Sequence, residues 1–215
     1  PKWLINKINE KGGKLTFYEY MDIVLNDPIN GYYGSGKANV GISGDFVTSP
    51  SLSEDFSSLI AIQIEEWLEQ IKNNIALDNK FTIIEFGSGK GCLIKGIIDF
   101  FSNKNNQILK NISFKIVELN QGMRKKQKEN LKQFLINGID ISWIKLEDLE
   151  NKSINGIVIA NEVLDAFPVE RIQYSKGDLY QQCVAFNENL GELKILKNNL
   201  NKNLKQRINY IKNKF

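Results

Sequence analysis

The sequence of 215 residues contains no histidine. Its absence excludes Ser-His-Asp triads, Cys-His nucleophiles and histidine-ligated metal sites. The two cysteines, Cys92 and Cys183, have no second cysteine two or three positions away, so the sequence shows the motif of neither a zinc knuckle nor a redox pair and fits a reducing compartment. The sequence therefore predicts no metal site, and any proton acceptor must be a carboxylate, tyrosine, lysine or water.

Long apolar runs and a strong charge of one sign are also missing. No run approaches the roughly 20 residues of a membrane span or resembles a signal peptide, and no targeting segment is visible. A formal net charge of +3 with dispersed lysines does not favour nucleic acid as a partner. We expect a soluble globular chain, cytoplasmic if bacterial and mitochondrial if eukaryotic. It begins with Pro1, so we also expect a fragment.

The periodicity of apolar residues predicts three regions. Residues 1–78 form a helical extension with a Gly-rich loop over 31–50, and capping boxes at Thr16–Glu19 and Ser51–Glu54 mark helix starts. Residues 79–168 alternate short strands with helices, which is typical of a parallel α/β sheet. Residues 169–215 form an antiparallel β-meander and a C-terminal helix. The predicted strands are 81–86, 114–119, 141–144, 156–160, 169–174, 179–186 and 192–196, and 156–160 reads as buried on both faces.

A glycine-rich turn lies within "FTIIEFGSGKGCL", residues 81–93. Gly87, Gly89 and Gly91 follow a buried strand and open a helix, where a turn without Cβ atoms lets a nucleotide approach backbone N–H groups. The dinucleotide fingerprint G-x-G-x-x-G requires glycine at position 92, which is Cys92 here. The residues alone leave open a nucleotide site and a tight turn without a ligand.

Carboxylates stand beside that turn and after the next strands. Glu85 comes two residues before the first glycine, and Glu118 ends the second strand, where a carboxylate can accept hydrogen bonds from ribose hydroxyls. Asn161, Glu162 and Asp165 directly follow the fourth strand, where open α/β sheets bind ligands. They can bind a cationic group there, or simply begin a solvated helical turn.

Five segments in this order carry a family resemblance: "GYYG", "GDFVTSP" (44–50), "IEFGSGKG" (84–91), "IVELN" (116–120) and "NEVLDAFPV" (161–169). Together they resemble the MidA-like family of class I S-adenosylmethionine-dependent methyltransferases, over most of residues 16–172. That family includes the mitochondrial complex I assembly protein arginine methyltransferase.

The resemblance implies an α/β fold with a Rossmann-like class I methyltransferase sheet, S-adenosylmethionine as cofactor, and a protein arginine as acceptor, in a respiratory-complex subunit for the mitochondrial relative. It also implies site residues. The cofactor would contact Glu85, Gly87, Gly89, Gly91 and Glu118, with Glu85 holding the methionine amino group, and Asp45, Thr48 and Ser49 of a lid loop at its methionine end. Glu162 and Asp165 would orient the guanidinium, and Asn161 would hold the acceptor or cofactor. Two alternatives remain: a scaffold or assembly factor that binds the cofactor without turnover, and a nicotinamide-dependent oxidoreductase. Within the methyltransferases, a small molecule or a nucleic acid is a further option as acceptor.

The chain departs from the family pattern at two positions. Ser51 stands where relatives carry glutamate after proline, and Ile144 stands where a histidine commonly follows the tryptophan matched by Trp143. Family members are also longer, and the last strands of their sheet have no counterpart here. We therefore expect an exposed sheet edge.

Overall fold

The computed structural model describes residues 1–39, 41, 44–72, 80–104, 106–151 and 153–214. The helices of more than three residues are α1 (Lys2–Glu10), α2 (Phe17–Asn26), α3 (Ser49–Leu52), α4 (Glu54–Lys72), α5 (Cys92–Lys104), α6 (Asn106–Leu109), α7 (Gln121–Asn130), α8 (Lys132–Ile136) and α9 (Lys202–Lys214). The strands are β1 (Lys14–Thr16), β2 (Phe81–Phe86), β3 (Ile112–Val117), β4 (Ile141–Ile144), β5 (Gly156–Ala160), β6 (Ile172–Ser175), β7 (Asp178–Asn187) and β8 (Glu192–Asn199).

Contacts between residues divide the chain into two units. One unit consists of Pro1–Asn30 and Ala166–Phe215, and the other of Gly31–Asp165. The sequence-based division at residues 78 and 168 groups the N-terminal helices with the Gly-rich loop. In the structure, α1, β1 and α2 instead belong with the meander, because β1 pairs with β7 in an antiparallel ladder that aligns Leu15 with Val184.

The first unit is built around β7. The β8 strand pairs along one edge of β7, while β6 and β1 pair with successive parts of the other edge. Leu4, Ile8 and Leu15 form its small core. The predicted capping box at the start of α2 is confirmed: the Glu19 N–H donates to Thr16 Oγ1 over 3.1 Å, and the Thr16 N–H donates to the Glu19 carboxylate over 2.9 Å.

The second unit contains a parallel sheet in the order β4-β3-β2-β5, which confirms the predicted α/β class. The β2 strand is central, and Ile83 and Ile84, on its two faces, are fully buried. An apolar stripe of α5 packs into the same core as Ile83 and as Ala61, Ile64 and Leu68 of α4. Each buried isoleucine, leucine or phenylalanine in this core stabilises the fold by about 1.5–3 kcal/mol. This packing fixes the strand ends that carry the predicted site residues.

Two sequence-based expectations for this unit are wrong. The β5 strand is not buried on both faces: Ile157 is buried, but Val158 is 51% exposed, because β5 stands at the end of the strand order. Ser51 and Glu54 do not form a capping box either. The chain is extended at Ser53, where α3 has ended, and α4 begins one residue later, with the Asp55 N–H donating to Ser53 Oγ.

Candidate functional site

The glycine turn connects β2 to α5 in a conformation that favours glycine. Gly87 and Gly89 have φ angles of +59° and +53°, in the left-handed region that L side chains rarely adopt. Their surroundings differ. A Cβ at Gly87 would lie 2.3 Å from Val163 Cγ2, whereas a Cβ at Gly89 would meet no atom within 4 Å. Gly89 therefore faces open space in which a ligand can approach the backbone.

The first acid of the motif is fully enclosed by the protein. Glu85 is 4% exposed, and its carboxylate accepts a short hydrogen bond from the Ser88 hydroxyl on the other side of the turn. Burial raises the pKa of Glu85 to about 7, although the bonds from Ser88 and from the Ile94 N–H favour the charged form. A buried carboxylate of this kind favours a cation beside it, because a positive charge offsets the cost of its ionisation.

The second acid lies at the end of the neighbouring strand. Glu118 directly follows β3, which pairs in parallel with β2, so the two acids are brought to the same edge of the sheet. Glu118 is 7% exposed, and burial raises its pKa. Its Oε1 accepts a bond from the Asn120 N–H over 2.9 Å, and its Oε2 accepts one from the Gln127 amide over 3.1 Å. The Leu119 N–H also bonds this carboxylate, and at least one of its about four lone-pair sites stays available to a hydroxyl.

The beginning of the predicted lid loop is docked onto α7. The backbones of Gly36 and Gly122 approach so closely that a Cβ at Gly122 would lie 2.3 Å from the Gly36 nitrogen. Lys126 donates from its ammonium to the Ala38 carbonyl over 2.7 Å. These contacts hold residues 36–38 against the helix that starts beside Glu118.

Asp45, Thr48 and Ser49 lie further along that loop and in α3. Asp45 accepts a hydrogen bond from the Tyr32 hydroxyl over 2.6 Å, and the two residues thereby cross-link the loop. The Thr48 N–H donates to Ser51 Oγ over 3.0 Å at the start of α3. Ser51 therefore takes the place of the glutamate in a capping box that begins at Thr48. Contact of Asp45, Thr48 and Ser49 with a cofactor stays a prediction.

Asn161, Glu162 and Asp165 follow β5 as expected, and the last of them lies in a 3₁₀ turn, Leu164–Ala166. Glu162 and Asp165 are exposed and Asn161 is partly buried. Glu162 has a φ of +49°, an uncommon conformation for a residue with a side chain. Such backbone conformations occur preferentially at functional sites.

Two residues beside these acids were not found from the sequence. Val163 is buried against Gly87, and this contact anchors the segment after β5 on the glycine turn. Tyr33 lies near Asp165 and Glu118: burial raises the pKa of its hydroxyl, and the negative charges of both carboxylates raise it further. In the sequence, the apolar Val163 within "NEVL" and the aromatic pair of "GYYG" were the signals that could have indicated these two residues.

A cavity of about 480 Å³ lies elsewhere in this unit. It is lined by α4 and α5 side chains such as Ser57, Lys95 and Asp99, and it contains neither acid and no glycine of the turn. Lys95 and Asp99 already form an ion pair over 2.8 Å there. The acids and glycines predicted to form the site therefore lie outside this cavity. Among the described residues, no group of three or more carboxylates or cysteines is arranged to hold a metal ion, and no described helix is both long and apolar enough to cross a membrane.

The sequence and fold of this chain are similar to those of known proteins. A family model described as "Putative S-adenosyl-L-methionine-dependent methyltransferase" matches residues 59–215. The mitochondrial protein arginine methyltransferase NDUFAF7 of Bos taurus is 33% identical over 79% of this chain and 41% of its own length. Its Homo sapiens counterpart is 32% identical over 75% of this chain and 39% of its own length. A Burkholderia thailandensis protein, described as a "likely methyl transferase" and crystallised with S-adenosyl-homocysteine, is 25% identical with a TM-score of 0.74, over 95% of this chain and 51% of that one.

This chain spans about two fifths of the length of these curated relatives and about half of the solved structure. The family model nevertheless covers most of the chain, including β2, the glycine turn, Glu118 and the segment after β5. The sequence resemblance and the parallel sheet agree with it. The chain belongs to the MidA-like family of class I S-adenosylmethionine-dependent methyltransferases.

Proposed function

We propose that this chain holds the cofactor site of an S-adenosylmethionine-dependent methyltransferase whose acceptor is an arginine side chain of a protein. The observation that carries the proposal is the pair of buried acids, Glu85 and Glu118, on neighbouring strand ends beside a turn that faces open space at Gly89. The names of the mammalian relatives support arginine as the acceptor.

The chemistry of these residues fits the cofactor. Glu118 would accept from the ribose hydroxyls. The space at Gly89 would admit the cofactor against the backbone, and Glu85 would balance a positive charge at the methionine end. The cofactor supplies a methyl group already activated on a sulfonium, so the protein has mainly to bind and orient the two reactants.

The acceptor end of the site would use the carboxylates after β5. A guanidinium presents forked N–H donors that match carboxylate oxygens, and it stays charged at neutral pH. Glu162 and Asp165 would hold it and draw its charge away from the attacking nitrogen, and a carboxylate or water would take the proton. Asn161 has an amide that can hold either reactant but cannot take up that proton.

The Gly89→Ala variant tests the cofactor site. Its Cβ would meet no protein atom within 4 Å, so we expect a loss of stability of about 1–2 kcal/mol from the φ of +53° alone. The same methyl group would stand in the cofactor's space and lower the affinity for S-adenosylmethionine about ten- to hundredfold. Isothermal titration calorimetry with S-adenosylmethionine, and with NAD as the comparison ligand, measures this.

Gly138→Ala is the matched control, since Gly138 also has a positive φ, +79°, with no atom within 4 Å of its Cβ position. Gly138 lies after α8 and before β4, and not at the carboxyl ends of the strands, where the candidate site is. Its replacement should therefore leave the affinity unchanged. Equal affinities for Gly89→Ala and the native chain would show that the turn is structural. Binding of NAD in place of the methyl donor would favour an oxidoreductase.

The acceptor assignment predicts a different pattern for Glu162→Gln and Asp165→Asn. Both side chains are exposed, so we expect folding and S-adenosyl-homocysteine binding to persist while methyl transfer falls at least about a hundredfold. Transfer of label from methyl-labelled S-adenosylmethionine to arginine-containing proteins, followed by analysis for methylarginine, measures the rate. Glu147→Gln, an exposed substitution in a separate 3₁₀ turn, is the control.

Unchanged rates in both carboxylate variants would contradict the acceptor assignment. Cofactor binding without transfer to any protein, in the native chain, would favour the scaffold or assembly role. We further propose a subunit of a respiratory complex as the acceptor, which the same assay tests when purified complex I subunits are offered beside unrelated arginine-rich proteins. Methylation of the unrelated proteins alone would reject that choice.

A further inference from the structure

Gln127 is a fully buried amide that joins the two halves of the candidate cofactor site. It lies on α7 with 0% exposure. Its Nε2 donates to the Gly89 carbonyl over 2.9 Å and to Glu118 Oε2 over 3.1 Å. Its Oε1 accepts from Trp143 Nε1, on β4, over 2.8 Å. One side chain thus connects the glycine turn after β2 with the acid after β3.

The chemistry of the partners dictates which way this amide points. The indole N–H of Trp143 can only donate, so it requires the amide oxygen. The Gly89 carbonyl and the ionised Glu118 carboxylate can only accept, so they require the amide nitrogen. A rotation of the amide by 180° would break all three bonds at once. The hydrogen bond from Trp143 therefore fixes the orientation of the Gln127 amide.

The amide also sets how Glu118 is presented. Asn120 and Gln127 bind one carboxylate oxygen each, and the Leu119 N–H adds a third bond, so the plane of the carboxylate is fixed. The bond from Gln127 favours the charged form of Glu118 against the effect of burial, which raises the pKa of this acid. The positive charge of Arg124 acts in the same direction.

We propose that Gln127 is a positioning residue for the cofactor, one that sets the direction of the Glu118 carboxylate relative to the Gly89 turn, with Trp143 holding Gln127 in its working orientation. The inference depends on the proposed function, because it assigns Glu118 to the ribose hydroxyls. It goes beyond that function by making recognition of the ribose depend on a residue that need not touch the cofactor.

Two ligands separate positioning from general packing. S-adenosyl-homocysteine and its 2′-deoxy analogue differ only in a hydroxyl that Glu118 would bind. The native chain should bind the first at least about tenfold more tightly, because the analogue leaves a buried acceptor unpaired. In Gln127→Met, which keeps the length of the side chain without its polar atoms, the affinity for S-adenosyl-homocysteine should fall about tenfold and that for the analogue less than about threefold.

The control is Gln133→Met, the same substitution at an exposed position of α8, which should leave both affinities unchanged. Trp143→Phe keeps an aromatic ring on β4 while removing the N–H together with part of the indole ring, so it tests the orientation of the amide if Gln127→Met fails to fold. We expect it to reduce the preference for the ribose hydroxyl in the same direction and by about threefold or more.

Gln127→Glu should also change how the affinity depends on pH. At pH 8 the carboxylate introduced at position 127 would face Glu118 and the Gly89 carbonyl without a proton to donate, and the two like charges would repel. Protonation of one of the pair restores a donor, so the deficit in affinity relative to the native chain should shrink as the pH falls from 8 to 6. Titratable or charged side chains that act there are Glu118 itself, Arg124 and Tyr33, whose hydroxyl lies near Glu118 and has a pKa raised by burial.

The outcomes distinguish a failure of this inference from a failure of the proposed function on which it depends. A native chain that binds no S-adenosyl-homocysteine overturns the proposed function and the inference together. A native chain that binds both ligands equally rejects the ribose role of Glu118, and with it the role of Gln127. Normal preference in the native chain, retained in folded Gln127→Met and Trp143→Phe, overturns the inference alone, as does a pH-independent deficit in Gln127→Glu.

Discussion

Replacing Glu85 with glutamine is expected to stabilise the folded protein at pH 8 and to weaken its binding of S-adenosylmethionine. Burial raises the pKa of Glu85 to about 7 from its ordinary 4.5. Above pH 7 the folded protein therefore carries a buried negative charge that the protein disfavours. Glutamine can still accept the bond from the Ser88 hydroxyl, but it has no charge to balance that of the cofactor.

The sign of the pH dependence follows from proton binding. Between about pH 4.5 and 7 the folded state holds the Glu85 proton and the unfolded state has lost it, so the free energy of unfolding falls as the pH rises. The stabilisation from this group is fully present below pH 4.5 and is lost above about pH 7. Each pKa unit is worth about 1.4 kcal/mol, so the total amounts to about 3 kcal/mol.

Urea unfolding of the ligand-free protein at several pH values measures this effect. Glu85→Gln should lose the decline between pH 4.5 and 7 and gain up to about 3 kcal/mol over the native chain at pH 8, since Glu118 contributes equally to both proteins. Glu147→Gln, at an exposed position, should run parallel to the native profile. A Glu85→Gln profile parallel to the native one would show that Glu85 is not buried as described.

Local patterns predicted the parts of the site that local geometry determines. The apolar run of β2, the glycines after it and Glu85 are contiguous in sequence, and the alternation of strand and helix implies that Glu118 comes to the same sheet edge. The Thr16–Glu19 capping box was predictable for the same reason, because both partners are three residues apart. Such features depend on few long-range contacts.

Features that depend on distant partners were not predictable. Leu15 becomes part of a strand only through its pairing with Val184 of the meander. Gln127 reads as one polar residue of a Lys-rich helix, and its bonds to Gly89 and Trp143 exist only once three elements have assembled.

Gly87→Ala is expected to destabilise the protein more than any purely conformational strain would. Its φ of +59° costs about 1–2 kcal/mol for a residue with a Cβ. That Cβ would lie 2.3 Å from Val163 Cγ2, a branched side chain with little freedom to move, and relief of the clash costs about 1–3 kcal/mol more. We expect a total loss of about 2–5 kcal/mol in the free energy of unfolding.

A double-mutant cycle isolates the contact between the two motifs. Val163→Ala removes the clashing methyl but keeps the Cβ, which lies 3.1 Å from the added Cβ, so in that background the cost of Gly87→Ala should fall toward the strain of its backbone, about 1–2 kcal/mol. Gly89→Ala has nearly the same φ and no neighbour, so its cost should equal that value in both backgrounds. If Gly87→Ala instead costs the same with valine or alanine at 163, the two motifs do not interlock. If the coupling is found, the glycine turn and the carboxylates after β5 are held together by packing, and a change at one will move the other.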